Sequence, residues 1–302
     1  MNRSFFSAGA ITANLTPLNA DLTVDEGLLQ DHCRFLLNNG SDGLALLGTT
    51  GEANSFSVAE RKQIVEAMAE FDRDKLMVGT GCCAYTETIE LTQHALDHGI
   101  TNFLMLPPYY YKQVDDEGML AYFDKIIGSV GAERLHIYLY HFPKLAGVSF
   151  SHDLVTELLH AFPETIVGMK DSTGDPQHMQ EVREMFPGFR LYAGTEKYLL
   201  ENLEGGGVGC ISATANVTIS LIASTLAQWH ANGSKSGNDY LVKVRKSFEG
   251  LPFTGALKSY LAEKTQNEAW LNVRPPNHPI TPNQLDDLIR QHEDLDYHPK
   301  LM

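Results

Sequence analysis

Between residues 8 and 230, short apolar runs alternate eight times with amphipathic stretches, and this alternation narrows the fold more than any other feature of the chain. Runs rich in branched and large apolar side chains, bounded by turn residues, read as strands. Stretches with apolar residues every three to four positions read as helices. Strands are predicted at 8–15, 43–47, 76–79, 102–106, 136–140, 166–169, 190–193 and 207–212. Helices are predicted at 24–39, 57–71, 86–98, 117–130, 151–161, 176–186, 197–204 and 219–230. The first helix carries its stripe in Leu28, Leu29, Cys33 and Leu36, and the second opens on Ser57 and Glu60 in capping-box spacing. Strict strand–helix alternation implies parallel strands. The first turn lacks the glycine fingerprint of a doubly wound sheet, so a closed (β/α)8 TIM barrel is expected. A length of 302 residues fits that fold with a tail to spare. Past residue 232 the pattern gives only helices, at 239–248, 255–264 and 282–293. The expected organisation is a barrel domain over 1–231 and a C-terminal helical extension over 232–302.

Within this frame Lys170 stands out. It closes the apolar run Thr165-Ile166-Val167-Gly168-Met169 and is followed by Asp171-Ser172-Thr173-Gly174, so it falls at the C-terminal rim of a buried strand. Burying an unpaired ammonium costs several kcal/mol, and such a group either finds an anion or gives up its proton. A neutral amine is a nucleophile toward carbonyls. The alternative is a lysine just past the strand, solvated or paired with Asp171.

Barrel active sites lie at the C-terminal ends of the strands, where other unusual residues also fall. The second strand ends in Gly48-Thr49-Thr50-Gly51-Glu52, a turn whose amides and hydroxyls suit a carboxylate but which also reads as plain turn chemistry. The fourth ends in Pro107-Pro108-Tyr109-Tyr110-Tyr111 and the fifth in Tyr138-Leu139-Tyr140-His141-Phe142-Pro143. Tyr140 lies one strand before the lysine, where a phenol can relay protons. His141 should face away from Tyr140, because side chains alternate along a strand. The run Gly205-Gly206-Gly207-Val208-Gly209 follows a helix and enters a strand, the reverse of a phosphate loop, and reads as a tight connection.

A formal net charge of −15 argues against nucleic acid or an anionic membrane surface as partner, while leaving room for an anionic substrate in a locally positive pocket. Cys33, Cys82, Cys83 and Cys210 show no metal-site spacing, and adjacent Cys82-Cys83 is a poor disulfide candidate, which fits a reducing compartment. The start Met1-Asn2-Arg3-Ser4-Phe5-Phe6 has no leader-like core and no apolar stretch reaches membrane-spanning length, so a cytoplasmic location is expected. The twelve histidines are scattered, with no HExxH and no tight cluster with Asp or Glu, and no metal site is expected.

Taken together, Gly48-Thr49-Thr50-Gly51-Glu52, Pro108-Tyr109-Tyr110, Tyr140 with Pro143 and Gly147, Gly168-Met169-Lys170-Asp171 and Ile211-Ser212-Ala213-Thr214-Ala215-Asn216 resemble the dihydrodipicolinate synthase/N-acetylneuraminate lyase family of pyruvate-dependent class I aldolases, over nearly the whole chain. The resemblance implies that Lys170 forms an imine with pyruvate or another 2-keto acid and that Tyr140 shuttles protons. It implies that Thr50 and the Gly51 amide hold the keto-acid carboxylate, and that Thr49 links Tyr140 to a Tyr110 reaching across a dimer contact. The imine is the electron sink, so no cofactor is implied. A homo-oligomer, dimer or tetramer, is expected.

Two positions depart from known branches. Synthases carry an arginine two residues after the tyrosine-motif proline, where this chain has Leu145, which cannot make a bidentate carboxylate contact. Sialic-acid lyases place Gly-x-Asp-Glu after the seventh strand, where this chain has Gly194-Thr195-Glu196-Lys197. Gly194, Glu196 and Ser212 are carried as substrate-binding candidates, Glu196 for a sugar hydroxyl. Tyr111-Lys112 looks more like the 2-keto-3-deoxygluconate aldolase branch, and Lys112 would suit an acidic tail. The expected activity is therefore a lyase joining or splitting pyruvate and an aldehyde, on a 2-keto-3-deoxy sugar acid. The alternatives are a dehydratase using the same imine, a 4-hydroxy-tetrahydrodipicolinate synthase, and a keto-acid-binding regulatory module without turnover.

Overall fold

The computed structural model describes residues 5–302; Met1 to Ser4, read above for a leader, lie outside them. Eight parallel strands close into a barrel in sequence order: β1 (Gly9–Thr12), β2 (Gly43–Leu46), β3 (Leu76–Gly79), β4 (Asn102–Met105), β5 (His136–His141), β6 (Ile166–Asp171), β7 (Arg190–Ala193) and β8 (Gly209–Ser212). Around them run α1 (Glu26–Asn38), α2 (Val58–Ala67), α3 (Tyr85–Asp97), α4 (Asp116–Val130), α5 (Pro143–Ala146), α6 (His152–Ala161), α7 (Pro176–Met185), α8 (Leu199–Glu204) and α9 (Ala215–Asn232). The extension holds α10 (Asn238–Lys246), α11 (Phe253–Thr265) and α12 (Pro282–Asp294). This is the expected (β/α)8 barrel. Among the described residues no helix is long and apolar enough to cross a membrane.

Local chemistry accounts for the element ends. The predicted capping box is present: the Ser57 hydroxyl accepts the Glu60 amide while the Glu60 carboxylate accepts the Ser57 amide. The barrel closes where β1 meets β8, pairing Gly9 with Gly209. A side chain at Gly209 would strike the Gly9 carbonyl, so this seam needs glycine. The strands β5 and β6 run past their predicted ends, because Tyr140 pairs with Lys170 and His141 with Asp171 in the ladder. The one-turn α5 was not foreseen; Pro143 opens it and Gly147, at φ +65°, ends it. Helix α9 begins four residues earlier than predicted, since buried Asn216 and Thr218 mask its apolar pattern.

Strand alternation sorts the core into layers. Ile11, Ala45, Met77, Leu104, Tyr138, Tyr140, Tyr192 and Ile211 fill the barrel with Phe6, whose amide donates to the Tyr138 hydroxyl at 3.1 Å. The opposite faces pack against the helices through Leu44, Leu46, Val78, Phe103, Met105, Leu139, Met169 and Cys210. A third cluster joins Phe248, Leu257, Tyr260, Leu261 and Trp270 of the extension to Leu15 and Val217, so the extension is seated on the barrel.

Buried histidines set the acid limit of this fold. Desolvation lowers His32 and His292 to about 4. His32 bonds Asn216 Oδ1 at 2.9 Å, and His292 lies between the Ser247 hydroxyl, at 2.7 Å, and the Tyr260 hydroxyl, at 2.8 Å. The unfolded chain binds protons at these groups more readily than the folded one, so stability rises with pH between about 4 and 6.5. Each group contributes roughly 1.4 kcal/mol per pH unit in that window. The melting temperature is expected to fall steadily as pH drops from 6.5 toward 4, and a flat thermal-shift profile over that range would contradict this.

Candidate active site

Lys170 is only 4% exposed, on a strand end that would ordinarily carry an apolar residue. The β5–β6 register shifts between Ile137 and Tyr138, and beyond the shift Tyr140 and Lys170 stand opposite each other. Lys170 Nζ lies 3.3 Å from the Tyr140 hydroxyl and 4.3 Å from the centre of its ring. The same hydroxyl is 3.4 Å from Thr49 Oγ1, so amine, phenol and threonine form a chain of polar atoms at the barrel mouth.

Among the described residues, the Lys170 amine has no ion pair. Asp171 points outward and accepts from the Thr173 amide at 2.8 Å, the Thr173 hydroxyl and His178 Nδ1 at 2.6 Å. Burial would push the Asp171 carboxyl up, but His178 and Thr173 outweigh it and hold the group below its usual range. The bond from Asp171 raises His178 in turn. The pairing of Lys170 with Asp171 that the sequence left open is thus not formed. His141 faces outward as expected, stacked on His178 at 4.7 Å and accepting the Phe150 amide.

The turn after β2 is held in an uncommon conformation. Leu47, at φ +54°, and Glu52, at φ +57°, bracket it, and neither is glycine. The Thr50 and Gly51 amides have no main-chain acceptor among the described residues, which leaves them available to an anion. The clamp comes from the extension. Glu52 is 3% exposed and its carboxylate meets Lys258 Nζ at 2.5 Å and the Arg274 amide at 3.1 Å. Lys258 also donates to the Asn272 carbonyl, and Arg274 to Leu22, Ser55 and Glu60. Lys258 and Arg274 were missed in the sequence, and Glu52 was carried only as a member of its turn.

Other candidates are placed differently. Glu196 is fully buried, and its carboxylate takes the hydroxyls of Ser212, Thr214 and Thr218 with Arg245 Nε 3.6 Å away. This corrects the reading of Glu196 as a sugar-hydroxyl ligand, because its oxygens are already occupied. Ser212 follows inward-facing Ile211, so alternation turns it toward Glu196 and away from the barrel interior. Gly194 packs against Ser172 and the Asp171 carbonyl, closing the β6–β7 rim. Lys112 donates its ammonium to the carbonyls of Tyr109 and Ala146, tying the loop after β4 to α5. Lys197 lies over the Tyr198 ring at 5.3 Å. Tyr110 and Tyr111 are 74% and 71% exposed and meet edge to face; within one chain Tyr110 does not reach Thr49. Leu145 is also exposed.

The expectation of no tight histidine cluster also needs correction. Glu66, His94 and His98 each offer a ligand atom, all within 4.8 Å of one another. Glu66 and His94 sit on the last turns of α2 and α3 and His98 caps the end of α3, at the face opposite the lysine.

A closed barrel with a buried, unpaired amine beside a phenol at its mouth is the organisation of a (β/α)8-barrel lyase. The chain belongs to the dihydrodipicolinate synthetase family, whose profile matches residues 6–293. An uncharacterized DapA-like lyase of Chloroflexus aurantiacus is 36% identical over 227 residues, covering 74% of this chain and 76% of that protein. A 4-hydroxy-tetrahydrodipicolinate synthase of Rhizobium meliloti is 37% identical over 218 residues, covering 71% and 72%. The fold overlays on YagE, a prophage protein of the same family from E. coli K12 solved with pyruvate, with a TM-score of 0.88 and 26% identity over 96% of this chain and 99% of that one.

Proposed function

We propose that this lyase forms an imine between Lys170 and pyruvate or another 2-keto acid, and that its natural substrate is a 2-keto-3-deoxy sugar acid cleaved to pyruvate and an aldehyde. The observation that carries the reading is the Lys170 amine, buried without a carboxylate partner and 3.3 Å from the Tyr140 hydroxyl. The amine attacks the keto carbon, and Tyr140 delivers the proton that lets the carbinolamine oxygen leave as water. A base then takes the proton of the C4 hydroxyl, the C3–C4 bond breaks, and its electrons pass into the iminium to give an enamine and the aldehyde. Protonation at C3 and hydrolysis release pyruvate and restore the amine. Thr50 and the Gly51 amide receive the keto-acid carboxylate.

The exposed Tyr110 supports a further part of the reading. In a dimer the partner subunit's Tyr110 extends the chain from Tyr140 through Thr49, and the active form is a homo-oligomer. Leu145 favours a neutral, polyhydroxylated tail over a carboxylate-bearing second substrate, since no guanidinium stands at that position. The synthase name among the relatives keeps 4-hydroxy-tetrahydrodipicolinate formation as the second reading.

The test is product analysis with 2-keto-3-deoxygluconate and related acids. Pyruvate and an aldehyde in equal amounts are expected. A keto acid of unbroken chain would make the enzyme a dehydratase, and no turnover of these acids together with formation of 4-hydroxy-tetrahydrodipicolinate from pyruvate and a carboxylate-bearing amino aldehyde would replace the sugar-acid assignment.

A further inference from the structure

We propose that Glu66, His94 and His98 form a binding site for a divalent transition ion of the zinc class, bridging α2 and α3 away from the catalytic mouth. His94, on the last turn of α3, and His98, its C-cap, are one helical turn apart, a spacing that puts two imidazoles on one face. Lys62 and Glu66 hold the same relation on α2, which packs alongside. Two nitrogens and one carboxylate oxygen make a three-ligand set that leaves a fourth position for water.

The ring orientations favour a metal over a simple ion pair. His98 Nδ1 lies 2.8 Å from the His94 carbonyl, the kind of outer bond that fixes a ligating histidine's tautomer and turns its other nitrogen outward. His94 Nε2 is buried with no hydrogen-bond partner. It faces Glu66 Oε1 at 3.2 Å without hydrogen-bond geometry. A cation bound by both atoms would satisfy this unpartnered nitrogen and the carboxylate together. Ligand atoms on a tetrahedral zinc stand roughly 3.3 Å apart for bonds near 2.05 Å, so the His94–Glu66 spacing already fits. The cations nearby are otherwise engaged: Lys62 pairs with Glu90 at 2.5 Å, and Arg73 donates to the carbonyls of Met68, Ala69, Phe71 and His98.

Zn²⁺ titrated into chelator-stripped, full-length protein should bind with a stoichiometry of one per chain and raise the melting temperature, and Co²⁺ should give a visible d–d band. His94→Gln and His98→Gln should each weaken Zn²⁺ binding at least ten-fold and abolish the band, while aldolase turnover, which uses none of these residues, confirms that the variants fold. Absence of saturable binding up to millimolar Zn²⁺ would overturn the proposal. So would unchanged binding in both variants, which would assign the metal to other ligands such as Cys83.

Discussion

Lys170→Ala is expected to abolish turnover of every 2-keto acid, by roughly 10⁴-fold or more, while leaving the melting temperature within a few degrees of the parent. The two halves of this result have one origin. The amine makes no ion pair, and its polar contact is the Tyr140 hydroxyl, so little of the fold depends on it. All of the proposed chemistry passes through it. Turnover falling less than ten-fold, measured as pyruvate released, would return Lys170 to a structural role.

Lys258→Met is expected to do the reverse in kind, costing about 3–5 kcal/mol of stability and lowering the melting temperature by roughly 10 °C. Lys258 and Glu52 are both fully buried as side chains, with Nζ 2.5 Å from Oε1. Burial lowers Lys258, and Glu52 opposes that shift, so removing one partner strands the other charge in the core. The double variant Glu52→Met/Lys258→Met should be more stable than the sum of the two single changes predicts, since it leaves neither charge unpaired. Because Glu52 ends the turn that presents Thr50 and Gly51, Lys258→Met should also raise the concentration of pyruvate needed for half-saturation. Additive losses in a double-mutant cycle, read from urea unfolding, would show that the pair is not coupled.

These two lysines also show how far the sequence could be read. Strand and helix periods depend on local alternation, and they placed all eight strands and every barrel helix except the one-turn α5. They set the wrong ends where polar groups belong to an element, as with Lys170 and Asp171 in β6 and Asn216 in α9. Lys170 was legible because a charge ends an apolar run. Lys258 sits inside the run Ala256-Leu257-Lys258-Ser259-Tyr260-Leu261 and gave the same signal, but its partner lies 206 residues away and no local pattern reveals it. Glu196 was misread because a family position says nothing of which way a side chain faces; the inward turn of Ile211 on the neighbouring strand, and three hydroxyls around the carboxylate, decide that. The cluster of Glu66, His94 and His98 needs two helices side by side, which only the fold supplies.

The central claim is imine formation at Lys170, and borohydride reduction in the presence of pyruvate, followed by peptide mass mapping, tests it most directly. The account predicts a reduced pyruvyl adduct on Lys170 that is absent from Lys170→Ala. No adduct, or an adduct confined to another lysine such as Lys112, would contradict it.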